Sequence, residues 1–294
     1  MRRMLIVGCG NVGLRLVQVL RGRWRIYALT HSQQRCAVLR TEGVVPVLGD
    51  LDRPATLHRL AGIAQDVIHL APPTGSGLLD QRTANLIRAL TSAASLPQRL
   101  VYISTSGVYG NCDGALVDET RTVNPESNRA WRRVDAERRL RAWGAETGIQ
   151  ISILRSPGIY AADRLPLARL AAGTAALVHE QDSFTNHIHA DDLARIAIAA
   201  LHRGGGGRTY NACDDSMMKM GEYFDLVADH FALPHPPRVD WQTAKTRIPE
   251  AMLSFMRESR RLANGRLKSE LRVRLRYPSV ENGVLAACSS LGIS

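Results

Sequence analysis

Short apolar runs alternate with stretches of helical spacing from the first residues of this chain onward. Leu5-Ile6-Val7 predicts a strand, and Val12, Leu16 and Val19 with Leu20 recur on one face of a helix predicted over 11–20, as a 3.6-residue period requires. The alternation continues as strand 25–29, helix 33–39, strand 44–48, helix 54–60, strand 67–70 and helix 79–93. Strand 100–104, a long helix over 130–143 and strand 151–154 complete the series. Strands that are apolar on both faces need cover on both faces. The pattern therefore implies the α/β class, a parallel sheet between helical layers. Right-handed crossovers make such a sheet doubly wound and place ligands outside the carboxyl ends of its strands.

After Pro157 the rhythm loosens. A helix over 191–201 is apolar on nearly every side (Leu193, Ile196, Ile198, Leu201), which predicts burial. The glycine run 204–207 turns into a short strand at 209–211, and helices broken by Pro234, Pro236 and Pro237 follow Met217. The expected organisation is a sheet domain over 1–212, with part of the ligand cleft at 157–189. A smaller, mostly helical C-terminal lobe over 213–294 covers the ligand edge.

Composition narrows the class. With 45% hydrophobic and 22% charged residues, the chain of 294 can bury a sizeable core and is no disordered tail. No apolar run reaches the ~18–20 residues that span a bilayer, and the apolar start reaches Gly8 too soon for a signal peptide. Five scattered cysteines without a C-x-x-C pair suit a reducing cytoplasm better than a disulfide framework or a zinc site. Lys+Arg number 38 against 27 acids, a net charge of +11, which favours acidic partners. The basic clusters at 129–141 and 257–276 are interspersed with acids and apolar residues and carry no aromatic platform. This points to an anionic small molecule rather than nucleic acid.

Gly8-Cys9-Gly10-Asn11-Val12-Gly13 is G-x-G-x-x-G between the first strand and the first helix. Gly8 makes the tight turn, Gly10 lets backbone approach a pyrophosphate, and Gly13 permits close helix packing; the helix N-terminus adds positive charge. In this strand–turn–helix context the pattern predicts a dinucleotide site in a Rossmann domain. An enzyme using NAD usually carries an acid at the end of the second strand for the ribose 2′-OH. Here no acid precedes Glu42, and that strand runs into Thr30-His31-Ser32 with Arg35 one turn on. Hydroxyls and an arginine suit a 2′-phosphate, so NADP is expected over NAD. Asp50-Leu51 after the third strand and Leu70-Ala71-Pro72 after the fourth are placed for the adenine amino group and the pyrophosphate-ribose.

Taken with Ser104-Thr105-Ser106-Gly107-Val108-Tyr109-Gly110, Leu154-Arg155-Ser156-Pro157-Gly158-Ile159-Tyr160 and Ile188-His189-Ala190-Asp191-Asp192-Leu193-Ala194, these blocks resemble the short-chain dehydrogenase/reductases. More narrowly, they resemble the extended NAD(P)-dependent epimerase/dehydratase branch in an atypical form. The resemblance implies hydride chemistry on sugar nucleotides or other carbonyl and alcohol substrates, with Ser104, Pro157 and Ile159 beside the coenzyme. It also allows a homodimer paired through the helices after strands four and five. The branch's proton-transfer machinery is Tyr-x-x-x-Lys on the long helix. No lysine precedes Lys219, and the lysine and tyrosine positions fall on Arg133 and Arg129.

Thr105 matches the family's Ser/Thr, and Arg133 is placed for the nicotinamide ribose. Arg129, which holds its proton at neutral pH, suits an anionic substrate or an alkoxide. Tyr109 is the substitute proton donor, or else a packing residue. Asn186, His187, Arg155 and Arg164 are further candidates for the cleft. His187 and His189 alternate near Asp191 and Asp192, which could suit a metal; the resemblance implies a plainer role, with His189 and Asp192 fixing a strand-to-helix turn and the Asp capping the helix. Cys9 is a small filler whose thiol the helix N-terminus would acidify. An NADP-dependent oxidoreductase or epimerase ranks first, a non-catalytic NADP(H) sensor second and a nucleic-acid-binding protein third.

Overall fold

The computed structural model describes residues 1–292. Its centre is a seven-stranded parallel sheet made of β1 (Arg2–Val7), β2 (Trp24–Thr30), β3 (Val45–Leu48), β4 (Asp66–His69), β5 (Arg99–Thr105), β6 (Gln150–Ser156) and β7 (Arg208–Asn211). The spatial order is β7-β6-β5-β4-β1-β2-β3, and Leu5 of β1 pairs with Tyr27 on one side and Val67 on the other. The winding reverses between β1 and β4, so the loops leaving these strands part and open a crevice there.

Because side chains alternate across a strand, β1 serves two cores. Met4 and Ile6 pack with Leu16 of α1 (Asn11–Leu20) and with Leu193 and Ile196 of α5 (Ala190–Arg203). Leu5 and Val7 pack on the opposite side with Leu86 of α3 (Gln81–Thr91) and Leu140 of α4 (Asn128–Thr147). The remaining crossover helix, α2 (Gln33–Thr41), adds Leu39 to the first core. The expected helix over 54–60 is a 3-10 helix, Pro54–Leu60, entered through a proline whose fixed φ suits a helix start. α4 runs longer than its apolar spacing predicts and ends at Gly148, which takes a left-handed φ of 76° at little steric cost.

The chain after Ala212 divides its contacts. Helix Met220–His230 and helix Val280–Leu291 form an outlying core in which Phe224, Val227, Val280 and Val284 surround Tyr160. Leu267, Leu271 and Val273 return instead to the main core beneath α5. Short strand pairs stitch the lobe to earlier loops: Phe184–Thr185 with Met218–Lys219, Ala176–Leu177 with Arg238–Val239, and Leu116–Val117 with Arg261–Leu262. Among the described residues no helix is long and apolar enough to cross a membrane.

Candidate functional site

The glycine turn is built as its spacing requires. Gly8 adopts a φ of +89°, and a Cβ there would lie 2.5 Å from the Ala71 amide nitrogen, so only glycine lets the loop after β4 lie against it. A Cβ on Gly13 would meet Cys9 Sγ at 3.2 Å. At Gly10 a Cβ would meet nothing within 4 Å, so the backbone faces open space. No side chain caps α1 and its first turn carries no acid, which leaves its N–H groups and partial positive charge for an anion.

This loop forms one wall of a cavity of about 510 Å³. Gly8, Gly10, Asn11, Val12 and Gly13 meet Thr30, His31 and Arg35 across it, with Leu70 and Pro72 above β4. Ser104, Thr105 and Arg133 close the far end together with Pro157, Ile159 and Arg164. Among the described residues no carboxylate lines it, whereas three arginines do. Asp50, Leu51 and Ala71 line an adjoining cavity of about 200 Å³ that shares Gly8, Thr30, His31 and Pro72.

The structure narrows the expected phosphate set. Thr30 Oγ1 accepts from the Ser32 amide at 3.2 Å. Ser32 Oγ accepts from the Arg35 amide at 3.4 Å. Ser32 is thus the helix cap of α2, its hydroxyl accepting there, and it stands outside the lining of both cavities. Arg35 crosses back to the glycine turn, where one terminal nitrogen donates to the Cys9 carbonyl at 2.8 Å. Exposed His31 lines the same wall of the cavity. Cys9 also departs from expectation. Burial pushes its thiol up to about 11, outweighing nearby Arg35.

At the carboxyl end of β5 two neighbouring hydroxyls part company. Ser104 Oγ donates to buried Glu137 at 2.6 Å, and Glu137 also receives Arg155 at 2.8 Å and Arg141 at 3.1 Å. Burial pushes the Glu137 carboxyl up, but the hydrogen bonds and charge of Arg155, aided by Ser104 and Arg141, hold it below the ordinary range. Ser104 thus lines the cavity with its hydroxyl committed elsewhere. Thr105, with Pro157, is common to the large cavity and a second one of about 180 Å³. Its Oγ1 accepts from the Gly107 amide at 3.2 Å, leaving its own O–H to donate outward.

Arg133 donates to the Tyr102 hydroxyl at 2.9 Å and the Ile103 carbonyl at 2.8 Å. Arg129 lines the second cavity with its guanidinium stacked 3.9 Å over the Phe255 ring, and burial lowers its pKa. Tyr109 does not take the proton-donor position. It is 1% exposed, its hydroxyl donates to Asn211 at 2.8 Å and it lines neither cavity. Burial, against the pull of Arg155, raises its pKa further.

Asn186 lines the second cavity and Arg164 the first, whereas Arg155 is buried against Glu137. His187 packs on Tyr223 with ring centroids 4.2 Å apart. His189, rather than an aspartate, caps α5 by accepting from the Asp191 amide at 3.2 Å, while Asp192 holds the Arg276 and Tyr277 amides. Sequence reasoning missed Phe255, Glu258 and Arg260, which line the second cavity. They stand within a charged stretch whose local pattern reads as a solvated face.

Comparisons with known proteins agree with this geometry. Residues 4–213 match the family described as the NAD dependent epimerase/dehydratase family. No curated protein matches the chain. A functionally unknown conserved protein from Silicibacter pomeroyi is 28% identical over 99% of each chain, with a TM-score of 0.82. UDP-glucose 4-epimerase from Thermotoga maritima, solved with UDP-glucose, is 16% identical over 99% of this chain and 98% of that one, with a TM-score of 0.80. The dTDP-glucose 4,6-dehydratase DesIV from Streptomyces venezuelae, solved with NAD, is 20% identical over 99% and 98%, with a TM-score of 0.77. At these identities the two enzymes show the shared fold.

Proposed function

Because this chain belongs to the NAD dependent epimerase/dehydratase family, we propose that it is an NADP-dependent oxidoreductase or epimerase. Its substrate is an anionic carbonyl or alcohol compound. The observation that carries the proposal is the position of Thr105, which borders both the coenzyme-sized cavity and the second cavity. The residues present fit the coenzyme: Gly10 leaves open backbone where a pyrophosphate would lie, and the large cavity is lined by arginines without an acid. Arg35 and His31 would hold the 2′-phosphate, Asp50 would face the adenine, and Arg133 the nicotinamide ribose. When bound, the nicotinamide supplies or accepts hydride.

The chain's own residues then have separable tasks. Thr105 donates to the substrate oxygen, and the cations of Arg129 and Arg133 favour the negative charge that develops there. The proton that completes the alcohol comes from water at the Thr105 edge, since no tyrosine lines either cavity among the described residues. Neutral Ala71 and Pro72 leave room for the coenzyme's ribose-phosphate backbone.

A second reading, a non-catalytic NADP(H) sensor, is favoured by the arginines at the Tyr and Lys positions. Fluorescence and thermal-shift titrations with NADPH, NADP, NADH and NAD test the common core, because a ligand that binds only the folded state raises its stability. Tighter binding of the phosphorylated pair is expected, and equal or weaker binding overturns the coenzyme assignment. Stoichiometric NADPH oxidation with a carbonyl substrate removes the sensor reading.

A further inference from the structure

The second cavity is small and its charges are partly cancelled. It measures about 180 Å³. Pockets that enclose drug-sized ligands run to ~300–1,000 Å³. Thr105 and Pro157 join it to the coenzyme-sized cavity, so a substrate's reacting carbon belongs at that junction and the rest of the molecule beyond it. Phe184, Met220 and Phe255 are part of the far lining.

Three charged side chains lie there. Arg260 is 7% exposed, pairs with Glu258 at 2.9 Å and donates to the Gly110 carbonyl at 2.7 Å. Its Nε–H is buried and has no partner. Asn186 holds the backbone of this segment from both sides, donating to the Arg260 carbonyl at 2.9 Å and accepting from the Leu262 amide at 2.8 Å. Arg129 stacks on Phe255 at 3.9 Å and has no carboxylate in ion-pair range among the described residues. Two cations and one anion leave a net single positive charge; Arg260 is spent on Glu258 and the Gly110 carbonyl, so Arg129 carries the free donors. Half-buried, unpaired guanidinium draws an anion strongly, and its planar fork matches a carboxylate in two-point contact.

We infer that the substrate is a compact oxo or hydroxy acid carrying one carboxylate, held by Arg129, rather than a nucleoside diphosphate sugar. A diphosphate brings two negative charges and a nucleoside besides, for which this cavity offers neither the balancing cation nor the volume. The inference rests on the reading of the adjoining cavity as a coenzyme site and adds the substrate class. In the reducing direction the carbonyl carbon gains hydride from NADPH and its oxygen gains a proton from water. NADPH is oxidised, the carbonyl is reduced and the carboxylate is unchanged.

The test uses the full chain, with NADPH titrated first on wild type and each variant so that the coenzyme site is scored separately. The NADPH complex is then titrated with glyoxylate, pyruvate and acetoacetate, with methyl acetoacetate as the uncharged counterpart and UDP-glucose as the alternative class. At least one oxo acid is expected to bind and to consume NADPH. The ester should bind about tenfold more weakly or worse, the equivalent of one charge-assisted hydrogen bond. Arg129→Gln should weaken the oxo acid by a similar factor, and Arg129→Lys should recover part of it. The ester comparison needs no variant, so it stands even if a substitution disturbs folding. The inference is overturned if UDP-glucose binds more tightly than every oxo acid, if none of the three binds, or if acid and ester bind alike. Absence of NADPH binding in wild type overturns the coenzyme reading and this inference together, whereas the preceding outcomes leave the coenzyme reading standing.

Discussion

Arg133 Nη1 donates to the carbonyl of Ile103 at 2.8 Å, which fixes a cation at the edge of the coenzyme-sized cavity. The same nitrogen also reaches the Tyr102 hydroxyl, so the guanidinium is held from below. Arg133→Ala is expected to weaken NADPH binding by about 10–100-fold, the range of ~1.5–3 kcal/mol for a hydrogen bond to a charged group. Fluorescence titration reads it. An affinity equal to wild type would place Arg133 outside the site.

Gly8 and Gly10 separate folding from binding. Gly8→Ala forces a left-handed backbone, at ~1–2 kcal/mol, and brings a methyl group to 2.5 Å from the Ala71 nitrogen. Stability should fall by more than the backbone term alone in urea denaturation. Gly10→Ala meets nothing within 4 Å, so stability should change by less than ~1 kcal/mol while coenzyme affinity drops. Equal destabilisation by both would contradict the open cradle.

The proposed preference for NADPH makes Arg35 its test. Arg35→Ala should reduce the preference for NADPH over NADH by about 10–100-fold, because only the phosphorylated form loses a charge-assisted contact. The ratio of the two dissociation constants measures this directly. A parallel loss for both coenzymes would mean that Arg35 acts through its hydrogen bond to the Cys9 carbonyl.

Acid stability depends on Glu137. Its folded pKa is held below the unfolded value, ~4.3, so its contribution is present above that value. It is lost as pH falls through the lower folded pKa. Glu137→Ala should cost about 3–5 kcal/mol at neutral pH by leaving Arg155 buried without its carboxylate partner. Glu137→Gln should flatten the acid limb of urea-denaturation midpoints measured between about pH 3 and pH 7. An unchanged acid limb would assign it to other carboxylates.

Tyr109 and Thr105 should respond in opposite ways. Tyr109→Phe leaves the buried Asn211 Oδ1 without its donor and is expected to lower stability by about 1–3 kcal/mol with turnover unaltered. Thr105→Ala should reduce turnover by about 100-fold, the usual effect of removing one donor to a developing oxyanion, with stability near wild type. Steady-state kinetics beside thermal unfolding distinguish them.

Legibility followed the range of each interaction. The glycine turn could be recognised from six consecutive residues because its constraints are local: a left-handed turn, a close approach and a helix start. Sequence alone does not separate Ser32, Ser104 and Thr105, which are alike as residues. Ser104 is claimed by Glu137, 33 positions away, and Ser32 by the start of its own helix. Tyr109 was misplaced for the same reason, its partner being 102 positions on.

By itself the sequence determined the parallel α/β rhythm, the glycine turn between β1 and α1, the acid-free end of β2 and the absence of any lysine before Lys219. All of these are set by residue identity and short spacing. Tertiary structure alone decided which polar groups stay unspent and which distant segment completes the cleft. Glu258 and Arg260 reach the cavity beside Gly107 and Gly110 only because the strand pair Leu116–Val117 and Arg261–Leu262 brings the tail back to the sheet edge. Apolar spacing records how a chain coils locally. Which remote donor meets which acceptor is settled only when packing brings them within hydrogen-bond reach.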